Sequence, residues 1–406
     1  MKNFPELRFK GFNKQWSTAY LNEVSTRVTR KNKNLESHIP LTISAEKGLV
    51  DQLDYYNNRV ASKDISGYSL IQNGEFAYNK STSRDAPYGA IKRLDFYKNG
   101  VLSTLYIVFR ITNGDLDSFK YYFESIYWHR EIYKISQEGA RNHGLLNISV
   151  NDFFDIKIKI PNLEEQEKIG NLFRKIDDLI EIQEGKVAKM RDYKKSMLQK
   201  MFPKKDELVP EFRFYGFDSN WLISRLGEVT SLRGGYAFKS QDYIENGIPI
   251  LRISNINSNG TTNEDYVYYT EILNDDNISL DNGAIVLAMS GATTGKISIL
   301  KTQGKVYQNQ RVGYFTKSDR IDYLYLSVIL RSHLFTSQLD KILIAGAQPN
   351  ISSKDVEDFS FKLPSLEEQE KIGNFFKKLD SKIEAEEKLL DSYKMMKKSL
   401  LQKMFV

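Results

Sequence analysis

The nine residues Leu163–Asn171 read LEEQEKIGN, and the same nine letters return at Leu366–Asn374, 203 positions later. An identity of that length does not recur by chance in a chain of 406 residues, so the rest of the sequence is read first for what else repeats. IKIKIPN (Ile156–Asn162) and FSFKLPS (Phe359–Ser365) stand immediately before the two copies, and LQKMF follows at Leu198–Phe202 and Leu401–Phe405. A second phrase opens each half: PELRFKGFNKQW (Pro5–Trp16) matches PEFRFYGFDSNW (Pro210–Trp221). Leu21-Asn22-Glu23-Val24 then matches Leu226-Gly227-Glu228-Val229. The plan is opener, variable block, repeated tail, twice over. The variable blocks, roughly 25–155 and 230–358, share only echoes such as NISVNDF (Asn147–Phe153) with NISSKDV (Asn350–Val356). GEFAYNKSTS (Gly74–Ser83) loosely parallels GAIVLAMSGATTG (Gly283–Gly295). One fold carrying two divergent surfaces is the natural reading.

The repeated tails read as helices. Asn162 suits an N-cap and Glu165, three residues on, completes a capping box; Ser365 and Glu368 do the same in the second copy. The paired glutamates also suit the positive end of the helix dipole. A stripe at 3,4 spacing then runs Phe173, Ile176, Ile180, Gln183, Val187, Met190, Lys194, Met197, Met201. Its counterpart runs Phe376, Leu379, Ile383, Glu386, Leu390, Tyr393, Lys397, Leu400, Met404, with polar residues at the same two places. This is a heptad-like seam, and polar seam positions set register at some cost in stability. A helix of about 40 residues is roughly 60 Å long. Such a one-sided helix needs a partner. The two are expected to pair antiparallel in a pseudo-two-fold frame with a variable domain at each end. The alternative is that each packs on its own domain.

The blocks themselves read as mixed strand, turn and helix. YSLIQNGEFAYNK and NGAIVLAMSG suggest strands around Asn-Gly turns. YIVFRI (Tyr106–Ile111) is an apolar run, and YLYLSVILRSHLF (Tyr323–Phe335) has helical spacing. The expected class is α+β: a first domain over 1–160, a first spacer helix over 161–204, a second domain over 205–363 and a second spacer helix over 364–406. Composition fits a globular chain, with 41% hydrophobic and 27% charged residues and a mean hydropathy of −0.47. No run of about 18 apolar residues offers a membrane span. The opening MKNFPELRFKGF lacks the apolar core of a signal peptide, so a cytoplasmic location is expected. With no cysteine there is no disulfide, thiolate metal site or cysteine nucleophile. A formal charge of +6 permits a nucleic-acid partner without requiring one.

Catalytic motifs are absent. Gly291-Ala-Thr-Thr-Gly295-Lys296 falls short of a phosphate-binding P-loop: three residues separate the glycines, and Ile297 stands where Ser or Thr would hold magnesium. The four histidines, His38, His129, His143 and His333, show no metal-ligand spacing. No GxSxG, Rossmann fingerprint or Asn-Pro-Pro-aromatic tetrapeptide occurs. What the blocks do carry are polar, basic and aromatic clusters of the side-chain types that read base edges and hold phosphates. In the first block these give Lys80, Ser81, Ser83, Arg84, Lys92, Arg141, Asn142 and His143 as candidate DNA contacts. In the second they give Tyr236, Lys239, Ser290, Thr293, Thr294, Lys296, Gln308, Arg311 and Gln348. Taken singly, each cluster also reads as an ordinary loop. The lysine-rich helix ends read as solvated faces or as partners for phosphates lying along the helices.

This layout resembles the specificity (S) subunits of type I restriction–modification systems, a bacterial defence. The resemblance covers essentially the whole chain. It rests on the two-fold plan, on the P-x-L-E-E-Q phrase at Pro161–Gln166 and Pro364–Gln369, and on the NIS-x-x-D segments before it. LQKMF and the segment GYAFKSQDYIENGIPILRISNI (Gly235–Ile256) add to it. The first block departs from the familiar opening, having VTRKNKN (Val28–Asn34) in place of Gly-Tyr-Ala-Phe-Lys.

The resemblance implies two target recognition domains reading the halves of a split, asymmetric double-stranded DNA site. It implies spacer helices that carry two methyltransferase subunits, joined by restriction–translocation subunits. S-adenosylmethionine, ATP and magnesium would sit on those partners, and this chain would bind no cofactor and do no chemistry. Helix pairing and subunit contacts would fall on Phe173, Ile176, Ile180, Val187, Met190, Met197, Phe376, Leu379, Ile383, Leu390, Tyr393 and Leu400. A helix of ~60 Å spans about 18 base pairs, enough for half-sites a helical turn apart. The competing reading is a coiled-coil adaptor whose variable domains bind proteins.

Overall fold

A computed structural model of the chain describes residues 4–44, 47–57, 60–84, 86–136, 144–345 and 350–406. Arg141, Asn142, His143 and Gln348 lie outside the described residues. The chain divides into two compact units: Met1–Gly185 with Lys388–Val406, and Lys186–Glu387. Each holds one variable block and part of both long helices, Leu163–Lys200 and Leu366–Lys403, of 38 residues each.

Within each unit the helices are antiparallel. In the first, Glu184 pairs with Lys394 at 2.6 Å and Asp177 with Lys397 at 2.7 Å. In the second, Lys186 meets Glu386 at 2.6 Å, Arg191 meets Glu387 at 2.5 Å, and Lys194 meets Asp380. Residue numbers fall on one helix as they rise on the other. The polar seam positions therefore have partners: Lys194 and Lys397 bind carboxylates, Glu386 binds Lys186, and Gln183 is buried.

Pairing and packing on the block are not alternatives here, because the same residues do both. Phe173 is fully buried, stacks on Tyr121 of its own block at 5.0 Å, and stacks at 5.9 Å on Phe405, just past the end of the other helix. Ile176, Val187, Met197, Phe376, Leu379 and Ile383 are buried; Ile180, Met190, Leu390, Tyr393 and Leu400 are half-buried. Burial of side chains this size contributes about 1.5–3 kcal/mol each, which is what holds a long amphipathic helix in place.

Each block has its own four-stranded sheet of the same plan. In the first unit the order is Ser25–Arg27, Ile107–Ile111, Phe76–Asn79, Ala90–Arg93, all antiparallel. In the second it is Leu232–Arg233, Val312–Phe315, Ile285–Ala288, Ile297–Ile299, again antiparallel. The inner strands are mostly apolar because both faces are covered, the polar Asn79 and exposed Arg110 falling near strand ends. Phe76 and Tyr78 join the core beneath the helices, while Ala77 between them joins a second core. Ile285 and Leu287 likewise face one core and Val286 and Ala288 the other. This is the period of two that a strand imposes.

The second layer differs. The first unit has two separate antiparallel pairs, the hairpin Leu41–Ser44 with Gly48–Asp51 and the non-consecutive pair Ser69–Gln72 with Asn99–Leu102. The second has one four-stranded sheet, ordered Val267–Tyr269, Ile248–Leu251, Val306–Gln308, Ser279–Leu280. The Asn73-Gly74 turn connects strands of different sheets and makes no hairpin, since Ser69–Gln72 pairs with Asn99–Leu102 and Phe76–Asn79 does not pair with it.

The repeated phrase is a joint. Asn162 Oδ1 accepts a hydrogen bond from the Glu165 amide at 2.9 Å, as an N-cap should. The Glu165 carboxylate, expected to reach back and complete a capping box, instead takes both prongs of Arg8, from the opener. Arg213 and Glu368 repeat this in the second unit. Gln166 is buried; it accepts from the Asp115 amide at 2.9 Å and donates to the Pro161 carbonyl at 2.9 Å. Gln369 does the same with Asp322 and Pro364. Asp115 and Asp322 are themselves N-caps of the helices Leu116–Glu124 and Tyr323–Leu330. The openers also supply Trp16, edge-on to Phe405 at 6.2 Å, and Trp221, edge-on to Phe202 at 6.1 Å. Opener, phrase and LQKMF thus meet in each unit.

Candidate nucleic-acid interface

The sheet strand Phe76–Asn79 turns through residues 80–89 into Ala90–Arg93, and Ile285–Ala288 turns through 289–296 into Ile297–Ile299. These two loops hold the same place in the same strand order. Both are stitched to a later segment: Ser81 bridges Leu145, and Ser290 bridges Asn350.

In the first loop the Lys80 carbonyl accepts from the Leu146 amide at 3.0 Å, and the Thr82 amide donates to the Gly144 carbonyl at 2.7 Å. Gly89, at φ +77°, closes the loop where a Cβ would stand 2.2 Å from the Asn79 carbonyl oxygen. Ser81, Ser83 and Arg84 are exposed, and Ser83 Oγ accepts from the Ala86 amide at 3.1 Å. Lys80 is half-buried and donates to the Ile148 carbonyl at 3.3 Å. Lys92 is placed elsewhere. It is half-buried under the helices among Glu124, Asp177, Lys120 and Lys397, and burial holds its ammonium below the ordinary lysine value.

In the second unit, Gly291-Ala-Thr-Thr-Gly295-Lys296 lies in a hairpin between antiparallel strands, not between a strand and a helix as a P-loop requires. Thr293 donates to the Ile253 carbonyl at 3.0 Å and Thr294 to the Gly291 carbonyl at 2.5 Å. Ser290 Oγ is buried without a hydrogen-bond partner among the described residues. Beside this loop runs the turn 309–311: Met289 donates its amide to the Arg311 carbonyl at 2.9 Å. Tyr236 lies across the same turn, taking the Gln310 amide and giving its own to the Gln308 carbonyl. Tyr236, Lys239 and Arg311 are exposed and Lys296 is half-buried.

Gln308 is a correction. It is fully buried, with its amide nitrogen donating to the Arg233 and Val312 carbonyls at 2.8 and 2.7 Å and its oxygen accepting from Arg233 at 3.2 Å. Every polar atom is used inside, so it has nothing to offer a base edge. Read from sequence, a Gln between aromatic and Asn residues has no mark of this, because burial depends on strands Leu232–Arg233 and Val312–Phe315 closing over it.

Arg84, Lys239, Lys296 and Arg311 have no acidic partner among the described residues, whereas the helix-facing lysines do. Unpaired cations beside exposed hydroxyls and amides suit a phosphate backbone and base edges better than an acid-lined site. No group of three or more His, Asp or Glu capable of holding a metal occurs among the described residues. No helix among them is long and apolar enough to cross a membrane.

The family model described as the type I restriction modification DNA specificity domain matches residues 4–190 and 218–393, one match for each half of the repeat. The chain belongs to the type I restriction–modification DNA specificity family. A curated member of that family, the type I restriction enzyme MjaVIII specificity subunit of Methanocaldococcus jannaschii, is 30% identical over 314 residues, 75% of this chain and 73% of that protein. The EcoAI specificity subunit of Escherichia coli is 28% identical over 221 residues, 51% of this chain and 34% of that protein. Among solved structures, the S subunit of a type I system from M. genitalium superposes with a TM-score of 0.62 at 17% identity, covering 99% of each chain. A chain from a study of assembly and conformational transition of a type I system gives 0.57 at 16% identity, covering 96% of this chain and 97% of that one. The specificity-family fold, an α+β internal repeat with long antiparallel helices, is therefore this chain's fold.

Proposed function

We propose that this chain is the DNA-recognition subunit of a type I restriction–modification complex. Each variable block reads one half of a bipartite, asymmetric double-stranded site. The observation that carries this is the contrast between frame and loops. Arg8/Glu165 and Arg213/Glu368 repeat atom for atom, while the equivalent loops 80–89 and 289–296 differ in length and side chains. A repeated frame with two different reading surfaces specifies a non-palindromic site; identical surfaces would specify a palindrome.

In this reading two methyltransferase subunits dock on the repeated segments and bring S-adenosylmethionine and adenine methylation. Restriction subunits bring ATP, magnesium and cleavage. This chain contributes binding and placement, and no catalytic group.

The test is a block exchange. Residues 25–155 are replaced by the corresponding block of another specificity subunit, the chain is co-expressed with its methyltransferase subunit, and methylated adenines are mapped across the host genome. One half of the methylated motif should change. A motif that changes in both halves, or in neither, defeats the modular reading. An adaptor with protein-binding domains would instead show no salt-dependent DNA affinity, where the recognition reading requires log K to fall linearly with log salt.

A further inference from the structure

The turn that joins Val306–Gln308 to Val312–Phe315 is held more firmly than a connection between two strands needs. The Tyr236 amide donates to the Gln308 carbonyl at 2.8 Å, and the Gln310 amide donates back to the Tyr236 carbonyl at 2.9 Å. The Asn309 amide donates to the Leu251 carbonyl at 3.1 Å, and the Arg311 carbonyl accepts from Met289 at 2.9 Å. Three separate segments thus fix four consecutive residues, Gln308 to Arg311. Gly235 allows the closest of these approaches: a Cβ there would lie 2.3 Å from the Gln308 carbonyl oxygen and 2.4 Å from that of Asn309. Beneath the turn, the Gln308 side chain ties its base to Arg233 and Val312.

This support ends in two exposed side chains, the Gln310 amide and the Arg311 guanidinium. Neither has a hydrogen-bond or charge partner among the described residues. A fixed backbone removes ordering cost from whatever these side chains bind. The two groups are the ones whose planar, two-pronged geometry matches adenine N6/N7 and guanine O6/N7. In the first block, the corresponding link between Asn99–Leu102 and Ile107–Ile111 carries no cation and exposes Leu105. Among the described residues the feature belongs to the second half, as a device that reads one half-site should.

We propose that Arg311 and Gln310 read adjacent base pairs in the half-site of the second block, Arg311 a guanine and Gln310 an adenine. Gln308 is the positioning residue that holds the turn. The inference rests on the DNA-recognition reading above.

The experiment uses the full chain co-expressed with its methyltransferase subunit, with methylated adenines mapped genome-wide for Arg311→Lys, Arg311→Ala, Gln310→Ala and Gln308→Met. Arg311→Lys keeps the charge and loses the two-pronged fork. It should relax the motif at one G·C position in one half, with a loss of discrimination on the order of 10- to 100-fold there. Gln310→Ala should relax the neighbouring position. Gln308→Met should relax the same positions while the complex still assembles, which a purely structural role would not produce. An unchanged motif and methylation level in Arg311→Lys overturns the proposal, and with equal loss at all sites in Arg311→Ala it marks Arg311 as a phosphate contact. A wild-type complex that methylates no split motif would instead defeat the recognition reading itself.

Discussion

Arg8 and Glu165, 157 residues apart in the chain, close a two-pronged ion pair, Nε to Oε1 at 2.6 Å and Nη2 to Oε2 at 2.7 Å. Glu165 is 1% exposed and Arg8 14%, and Arg213 and Glu368 reproduce both figures. The pair ties the opener of a unit to the start of a long helix. Removing one partner leaves a buried charge without compensation, a loss of about 3–5 kcal/mol. Glu165→Ala should therefore lower the first melting transition of the chain, and Arg8→Ala/Glu165→Ala should cost less than the two single changes added. Calorimetry decides it. Melting of Glu165→Ala indistinguishable from wild type would show that the pair carries no stability.

Gly170 and Gly373 make a second prediction from the same joint. A Cβ on Gly170 would stand 2.4 Å from Asp115 Oδ1 and 2.9 Å from the Ser118 amide; on Gly373 it would stand 2.7 Å from Asp322 Oδ1 and 2.8 Å from the Tyr325 amide. The obstacles are a helix N-cap and backbone, which cannot swing aside. In an open helix Gly→Ala would gain about 1 kcal/mol. Here overpacking should outweigh that gain, leaving each variant about 1–2 kcal/mol less stable. Denaturant midpoints with unchanged slope would measure it, and a stabilised Gly170→Ala would refute the close fit.

How much of this was legible in the sequence follows from range. The seam Phe173 to Met404 could be read because helical periodicity is local, and the two long helices begin where Pro161 and Pro364 place them. The place of loop 80–89 was also hinted at by the echo between Gly74–Ser83 and Gly283–Gly295, which fall on equivalent strands. The Arg8–Glu165 pair could not be read, because its partners are distant and a local capping box explained the same glutamate. Gln308 and Lys92 failed for a related reason: a polar side chain looks the same in sequence whether it points to solvent or under a sheet.

Lys92 gives a prediction with a pH dependence. Its ammonium is held below the ordinary lysine value chiefly by burial, against the pull of Glu124. A base depressed in the fold binds its proton more weakly than in the unfolded chain. Its burial cost is therefore present at neutral pH and fades as pH rises through the folded value towards about 10.4. Lys92→Met should raise melting at pH 7 by roughly 1–3 °C, with the gain shrinking towards pH 10, and should leave the methylated motif unchanged. A fall in melting temperature, or a motif altered in one half, would return Lys92 to the list of DNA contacts.

The last prediction separates the two jobs inside LEEQEKIGN. Glu165, Gln166, Ile169 and Gly170 are buried, and so are their counterparts Glu368, Gln369, Ile372 and Gly373, so folding alone constrains them. Leu163, Glu164, Glu167, Lys168 and Asn171 are exposed, as are Leu366, Glu367, Glu370, Lys371 and Asn374. The fold constrains the two lysines, since Lys168 lies over the Phe12 ring of the opener at 4.6 Å and Lys371 over Phe217 at 4.5 Å, but it asks little of the other exposed positions beyond short-range pairs such as Lys168–Glu164 at 2.9 Å, worth about 0.3–0.5 kcal/mol. If methyltransferase subunits dock as proposed above, identity at the remaining exposed positions reflects equivalent partner surfaces, one on each copy. Glu164→Lys/Glu167→Lys should leave melting within about 1 °C of wild type and weaken capture of one methyltransferase subunit while the second still binds. The stoichiometry of the purified complex, measured by native mass spectrometry, reads this directly. Full occupancy by two methyltransferase subunits in the variant, or loss of both, would sink the assignment of these exposed glutamates to a single docking surface.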